Sequence, residues 1–466
     1  MVAILKGLGD SLRSLIDTDE GTVSRELYVN DDIFKQEQEQ IYGRCWLFLG
    51  HESQLPNPGD FIVSRMGTEE VLVMRDRKDH QIRAFLNSCA HRGMKVCRYD
   101  QGNALLFTCP FHAWTYDTKG KLVGAAYQNA ENSYGGELDK QRWGLYEVAQ
   151  FKNYYGTLWA TWDPKAPSFE DYVGPFAESI RYDCESSDGE DAGLEVFTPF
   201  QKWRLPANWK IPAFTSATDL THAAMTHRSV NAAAIGPQRS MGGQGERHAR
   251  RGQGPRSERY AVGDHNLGHG GNWTKYLEPG VAPYVDTWYE PGVDDYFREA
   301  HARKAEKYAN RIAAPQGHGG GHFCIFPNFI MDDWRWRWWH PQATGVVERW
   351  SLFGIDKAAP KRVKDAVRHY VQRYNGPTGA TESDDMENWN YVYQASLGSQ
   401  ARRHNYYFAN GLRRGFESDE HPGLVFNGTH TEEAHRGRFS RWLAFMEATS
   451  WDDLYPINQD ARHRIW

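Results

Sequence analysis

The sequence predicts an α+β fold in two parts, an all-β module set inside a larger unit that mixes helices and strands. Three observations carry this. At 466 residues the chain exceeds the usual span of a single core, so more than one packed unit is expected. Between Cys45 and Asp163, short β-rich runs alternate with Gly, Pro, Asn and Asp turn signals. Beyond that stretch the hydrophobic pattern switches between helical and strand spacing. The expected division is N-terminal helices over 1–44, the β module over 45–165 and the larger unit over 166–466.

The elements follow in order. Val2, Ile4, Leu5, Leu8, Leu12, Leu15 and Ile16 lie among Lys6, Asp10 and Arg13, an amphipathic helical pattern that reads as docked rather than as a cleaved signal. Residues 31–42 read as a second short helix. The runs FIVSRM, EEVLVMRD, IRAFLNS, ALLFTC and GTLWATWD read as strands of the module, and PKAPS (164–168) as the linker out of it. Val363, Val367, Tyr370, Val371 and Tyr374 recur at helical spacing. Trp334, Trp336 and Trp338 alternate with Arg335 and Arg337 at strand spacing, as the buried face of a strand or the wall of an aromatic pocket. Residues 236–272 are Gly-rich and basic and show no apolar periodicity. They read as a long surface or subunit-contact loop, or as a lid over an active site.

Composition removes several classes of function. Hydrophobic residues at 40% and 18 Trp exclude a disordered or fibrous chain. A net charge of −6 argues against nucleic acid or an anionic membrane as partner. No apolar run approaches the roughly 18 residues of a membrane span, so a cytoplasmic location is expected. Six Cys against 19 His is no disulfide scaffold; it suits a reducing compartment, where such residues bind metal or do chemistry.

The β module holds Cys89-Ala-His91 and Cys109-Pro-Phe-His112, each pair on its own loop. Two thiolates and two imidazoles at this spacing suit a [2Fe–2S] cluster with Cys on one iron and His on the other, the Rieske arrangement. Structural zinc would accept the same donors but favours C-x₂₋₄-C and H-x₃₋₅-H spacings. NSCAHRG (87–93) and TCPFHAWTYD (108–117) resemble the Rieske signature of aromatic-ring-hydroxylating oxygenase large (α) subunits. Respiratory Rieske proteins carry a further cysteine after each first ligand; Arg92, Gly93, Met94 and Phe111 stand there instead. Cys45, Cys97, Cys184 and Cys324 read as buried free thiols.

A Rieske centre moves one electron at a time, so the remaining 300 or so residues need a second chemistry. Within NWKIPAFTSATDLTHAAMTH (208–227), Asp219-x₂-His222-x₄-His227 offers ligands for a 2-His-1-carboxylate iron. On an ideal helix at about 100° per residue the two histidines diverge by about 140°, so the helix must distort or end between them. The whole block resembles the iron-binding segment of the naphthalene- and biphenyl-dioxygenase type, and TESDDMENW (381–389) resembles the segment supplying its carboxylate. Asp385 matches that ligand, with Asp384 as the alternative register. The resemblance implies that Asp219 is no ligand but links His222 to His112 of a neighbouring subunit.

Together these readings give a terminal oxygenase α subunit. The resemblance implies an all-β Rieske domain inserted in a catalytic domain of antiparallel sheet flanked by helices, of helix-grip type. It also implies a small β subunit in an α3β3 assembly, with electrons from NAD(P)H arriving through a separate reductase and ferredoxin. The expected reaction is cis-dihydroxylation of an aromatic ring by O₂. A polycyclic aromatic hydrocarbon is favoured as substrate, because the iron segments hold no Arg or Lys to neutralise a carboxylate. The basic stretch 236–272 keeps a phthalate-type acid open, and a Rieske monooxygenase is the remaining alternative.

Overall fold

The computed structural model describes residues 12–17, 19–186, 192–215, 219, 221–233, 257–276, 291–308, 322–332, 335–418, 421–428 and 430–454. It divides into two compact units, Tyr42–Ala166 and, around it in sequence, Met1–Ile41 with Pro167–Trp466.

The inner unit is all-β. Strands β1 (Leu47–His51), β2 (Asp60–Met66), β3 (Glu69–Arg75), β4 (Ile82–Leu86), β5 (Gln101–Asn103), β6 (Phe107–Thr108), β7 (Thr115–Tyr116), β8 (Leu122–Gly124), β9 (Gln150–Tyr154) and β10 (Thr157–Thr161) form three antiparallel sheets. Their orders are β4-β3-β2-β5, β8-β7-β6 and β9-β10-β1. The β-branched and aromatic residues of the expected runs supply the core: Phe61, Val63, Leu72, Phe85, Phe107, Trp114 and Tyr116 enclose Cys89 and Cys109. The two thiols thus belong to the hydrophobic core.

The outer unit is a nine-stranded antiparallel sheet with helices on it. Its strands are β11 (Leu194–Leu205), β12 (Ser257–Gly263), β13 (Gly270–Tyr276), β14 (His322–Ile325), β15 (Phe329–Asp332), β16 (Arg335–Ala343), β17 (Val346–Asp356), β18 (Phe416–Ser418) and β19 (His421–Asn427). They run in the order β11-β17-β16-β15-β14-β13-β12-β19-β18. The helices used below are α1 (Asp31–Glu37), α2 (Lys210–Thr215), α3 (Ala223–Thr226), α4 (Pro291–Tyr308), α5 (Lys361–Asn375), α6 (Glu382–Ser396) and α7 (Glu433–Glu447). Helix α5 buries Val363, Val367, Val371 and Tyr374, as its spacing predicts, the three valines against Phe353 and Ile355 of β17 and Val293 of α4.

Three expectations change here. Residues 1–11 lie outside the described residues, and the helical reading fails at Ile16–Asp17, which pair with Thr22–Val23. The Asp17 side chain accepts the amides of Asp19 and Glu20, both at 3.0 Å, closing a turn where a helix would have continued. Leu12 is nonetheless buried and Arg13 pairs with Glu447 at 2.6 Å, so this segment is docked. The second helix is α over Asp31–Glu37 and becomes π-helical over Gln38–Tyr42. The third change concerns 236–272. Residues 236–256 lie outside the described residues, but 257–263 and 270–276 are paired strands. Their glycines serve close approach: a Cβ on Gly263 or Gly270 would stand 2.8 Å from Glu433 or 2.6 Å from Ala434 of α7. Trp334 also lies outside the described residues; Trp336, Arg337, Trp338 and Trp339 are all buried, so this strand is covered on both faces.

Candidate metal centres

The first centre is built by two loops of the same shape. After Cys89, the Gly93 amide donates to the Cys89 carbonyl and the Cys89 amide to Met94, both at 2.8 Å; after Cys109, Ala113 donates to Cys109 at 3.0 Å and Cys109 to Trp114 at 2.8 Å. Each loop turns through a left-handed residue, Gly93 at φ +74° and Ala113 at φ +56°. An alanine in this region costs about 1–2 kcal/mol, which the second loop's two backbone bonds and flanking strands must hold in place. The loops present His91 and His112 with ring centroids 4.6 Å apart, and His91 stacks on Trp114 at 4.9 Å. Cys89 and Cys109 lie within interaction distance of each other.

These donors fit a Rieske cluster. The Nδ1 of His91 is buried without a hydrogen-bond partner, which a metal bond would satisfy. His112 contacts the Arg92 guanidinium through Nε2 at 2.5 Å; burial, then the Arg92 charge, lowers its pKa. Burial likewise raises the Cys89 thiol, a cost that a bound iron would remove by taking the thiolate. Tyr116 was not singled out in the sequence, yet its hydroxyl lies 3.2 Å from the Cys89 sulfur and accepts the Ala90 amide at 3.1 Å. Its only sequence signal was its place in the TCPFHAWTYD run.

The second centre joins distant segments. Helix α2 is anchored first. Lys210 donates to Glu37 at 2.6 Å, and the indoles of Trp209 and Trp442 donate to the same carboxylate at 2.7 Å. Lys210 and Glu37 are fully buried, so each needs the other. The chain then passes Asp219 and enters the four-residue helix α3, with His222 as its N-cap and His227 as its C-cap. The helix ends between the histidines, as their divergence requires, and both rings turn to one point with centroids 5.2 Å apart.

Helix α6 brings the carboxylate. Asp385 Oδ1 lies 3.4 Å from the Nε2 of both His222 and His227. Among the described residues these three are the group whose ligand atoms all lie within 4.8 Å of one another. Asp384 does not point to that centre; its Oδ2 lies 3.4 Å from His227 Nδ1. Asp219 Oδ1 lies 3.5 Å from His222 Nδ1 and accepts the amides of Thr221 and His222 at 3.0 and 3.2 Å. Burial opposes protonation of His222, but Asp219 and Asp385 outweigh it and push its pKa up to about 10. Burial opposes ionisation of Asp219, but chiefly its bond to His222 draws it down to about 2. A site that so favours positive charge and offers two imidazoles and one carboxylate fits a labile divalent iron with open positions. Glu382, the first residue of α6, is buried and held by Arg335 at 3.3 Å and by Arg349. In the sequence Arg335 reads only as a strand residue and Arg349 carries no signal; nothing in the spacing links them to Glu382.

Comparison with known proteins matches both domains. Residues 45–142 match the model of the Rieske [2Fe-2S] domain, and residues 178–446 that of the ring hydroxylating alpha subunit catalytic domain. The chain is 33% identical over 459 residues to the biphenyl dioxygenase subunit alpha of Metapseudomonas furukawaii, covering 96% of this chain and 95% of the relative. It is 32% identical over 454 residues to the benzene 1,2-dioxygenase subunit alpha of Pseudomonas putida, covering 95% of each. Among solved structures, naphthalene 1,2-dioxygenase with indole bound in the active site superposes with a TM-score of 0.79 at 26% identity, covering 94% of this chain and 95% of that one. The naphthalene 1,2-dioxygenase from Rhodococcus sp. bound to indole gives 0.75 at 28% identity, covering 96% and 98%.

Proposed function

Because the chain belongs to the family of ring-hydroxylating dioxygenase α subunits, we propose that Cys89, His91, Cys109 and His112 hold its Rieske cluster and that His222, His227 and Asp385 hold its mononuclear iron. The enzyme is an aromatic-ring dioxygenase with both cofactors, the terminal oxygenase of a multicomponent system. When bound, the cluster relays single electrons and the iron activates O₂. The balance is one ring, one O₂, two electrons and two protons giving one cis-dihydrodiol.

The observation that carries the ligand assignment is the convergence of His222, His227 and Asp385 across a sequence gap of more than 150 residues. The residues around them have separate tasks. Asp219 orients His222 through Nδ1, which leaves Nε2 toward Asp385; its carboxylate is the bridge toward His112 of a neighbouring subunit. That bridge supports an assembly of several copies, α3β3 with a small β subunit, served by a ferredoxin and an NAD(P)H-dependent reductase. No helix among the described residues is long and apolar enough to cross a membrane, and we place the enzyme in the cytoplasm. The ring system is an aromatic hydrocarbon skeleton, polycyclic in the favoured reading. Turnover under ¹⁸O₂ with a surrogate reductase and ferredoxin tests the reaction: a dihydrodiol with both oxygens labelled from one molecule supports it, and a singly labelled phenol or alcohol would make the chain a monooxygenase.

A further inference from the structure

The two loops of the first centre are closed at their bases in different ways. The second, 109–114, leaves and re-enters a strand pair: β6 and β7 set Phe107 opposite Tyr116 and Thr108 opposite Thr115, so backbone ladder bonds fix both ends. The first, 88–96, follows β4, and the next strand begins only at Gln101. No ladder therefore holds residue 97 against residue 87. The cross-linking cysteines of respiratory Rieske proteins are also missing, with Arg92, Gly93, Met94 and Phe111 in their places.

One side chain takes the ladder's place. Asn87, the residue after β4, is buried. Its Oδ1 accepts the backbone amides of Val96 at 3.1 Å and Cys97 at 2.9 Å, and its Nδ2 donates to the Cys97 carbonyl at 2.8 Å. An antiparallel neighbour would exchange the same two bonds with Cys97 through its backbone. Nδ2 also donates to Glu70 Oε2 at 3.2 Å, so both donors and both acceptor sites of the amide are used. Glu70 of β3 is itself held by Arg65 at 2.9 Å and by Lys95, a residue of the loop, at 2.6 Å. An apolar residue of similar size would fill the space at position 87 but leave two amides and a carbonyl unpaired in the core. Between the clamped ends lie Cys89 and His91, and the Cys89 amide reaches the carbonyl of Met94, two residues before Val96.

We propose that Asn87 is a positioning residue of the redox centre: its side chain closes the first cluster loop in place of a strand pair, and so sets how tightly Cys89 and His91 are held and how much water reaches them. The inference rests on the assignment of these two residues as cluster ligands. Solvent exposure is one of the factors that set the potential of an iron–sulfur cluster. A loop open at its base admits water, which favours the more negatively charged reduced state, and it lets ligands leave more easily.

The test follows cluster retention and midpoint potential in the cluster-loaded, full-length protein. Asn87→Leu removes all four side-chain bonds. It should speed the loss of visible cluster absorption in excess chelator by about 10- to 100-fold, the range for outer partners of metal ligands, and raise the midpoint potential. Asn87→Asp keeps the two accepting contacts but loses both donors; it should shift both readings in the same direction by less, and it keeps the test open if Asn87→Leu does not fold. Thr115→Val is the control. It removes the hydroxyl contact with Thr108 at 3.0 Å but leaves the β6–β7 ladder, and should match wild type in both readings. An asparagine that served the core alone would lower the melting temperature and leave the potential where it is. Wild-type potential in the Asn87 variants, or cluster loss in Thr115→Val as fast as in Asn87→Asp, would overturn the proposal. The ligand assignment fails separately, on the absence of Rieske absorption from the wild-type protein.

Discussion

The two metal centres are built on opposite plans. The first lies within 24 residues, Cys89 to His112, on two loops whose own backbone bonds set the ligand positions. The second, as proposed, draws on His222, His227 and Asp385, and the segments that carry them are held by ion pairs remote in sequence, the buried Glu37–Lys210 and Glu382 with Arg335 and Arg349. A centre of the first kind is as stable as its loops, whereas one of the second kind is as stable as the packing of its helices. The first should therefore tolerate perturbation of the outer unit, and the second should not.

The largest expected effect separates the centres outright. His222→Ala should remove one iron per chain and all ring oxidation while the visible absorption of the cluster persists; Cys109→Ser should bleach the cluster and leave the second iron bound. Iron analysis and absorption spectra read both, and loss of both metals in either variant would contradict independent construction. Glu382→Gln comes next. It leaves the buried Arg349 and the partly buried Arg335 without their carboxylate, and breaking a buried pair costs about 3–5 kcal/mol. Denaturant titration should show the outer unit destabilised by that order, with weaker iron retention and an unaltered cluster spectrum.

Asp219→Asn should keep both metals and slow dihydrodiol formation by about 10- to 100-fold, the usual range for partners that orient a metal-bound histidine; an undiminished rate would remove the bridge from the mechanism. Gly93→Ala addresses the loop plan. Its φ of +74° makes any side chain cost about 1 kcal/mol, seen as a small fall in the temperature at which cluster absorption is lost. A further effect is shared by the two units. Burial holds His51 of the inner unit and His269 of the outer unit at about 3, below the unfolded value near 6.5. The unfolded chain takes the protons first, so stability is full above pH 6.5 and declines as pH falls toward 3, by up to about 1.4 kcal/mol per pH unit for each group. Melting curves between pH 7 and pH 5 check the sign.

The two plans also explain what could be read beforehand. The Cys-x-His and Cys-x₂-His pairs were legible because a loop that holds its own ligands must carry them at short spacing. The helical face of Val363, Val367 and Val371 was legible for the same local reason. The histidines at 222 and 227 were legible only as an awkward pair, since their convergence depends on α3 stopping after four residues. Asp384 and Asp385 were not separable in the sequence because both sit in the first turn of α6; in the structure Asp385 lies 3.4 Å from both histidines and Asp384 3.4 Å from His227. Residues 257–272 were misjudged because glycine required by the approach of α7 has the same composition as glycine in a loop.

The sequence by itself determined the inner β module, the two short Cys–His pairs that its loops present and the segment that carries His222 and His227. Each of these depends on periodicity or on spacing within about 20 residues, which neighbouring backbone geometry enforces. The tertiary structure alone decided that Asp385 lies within 3.4 Å of both histidines, and that Arg335 and Arg349 seat Glu382 at the start of α6. Those outcomes depend on strand register and helix packing, where residues far apart in the chain meet because buried charges and apolar faces must find partners.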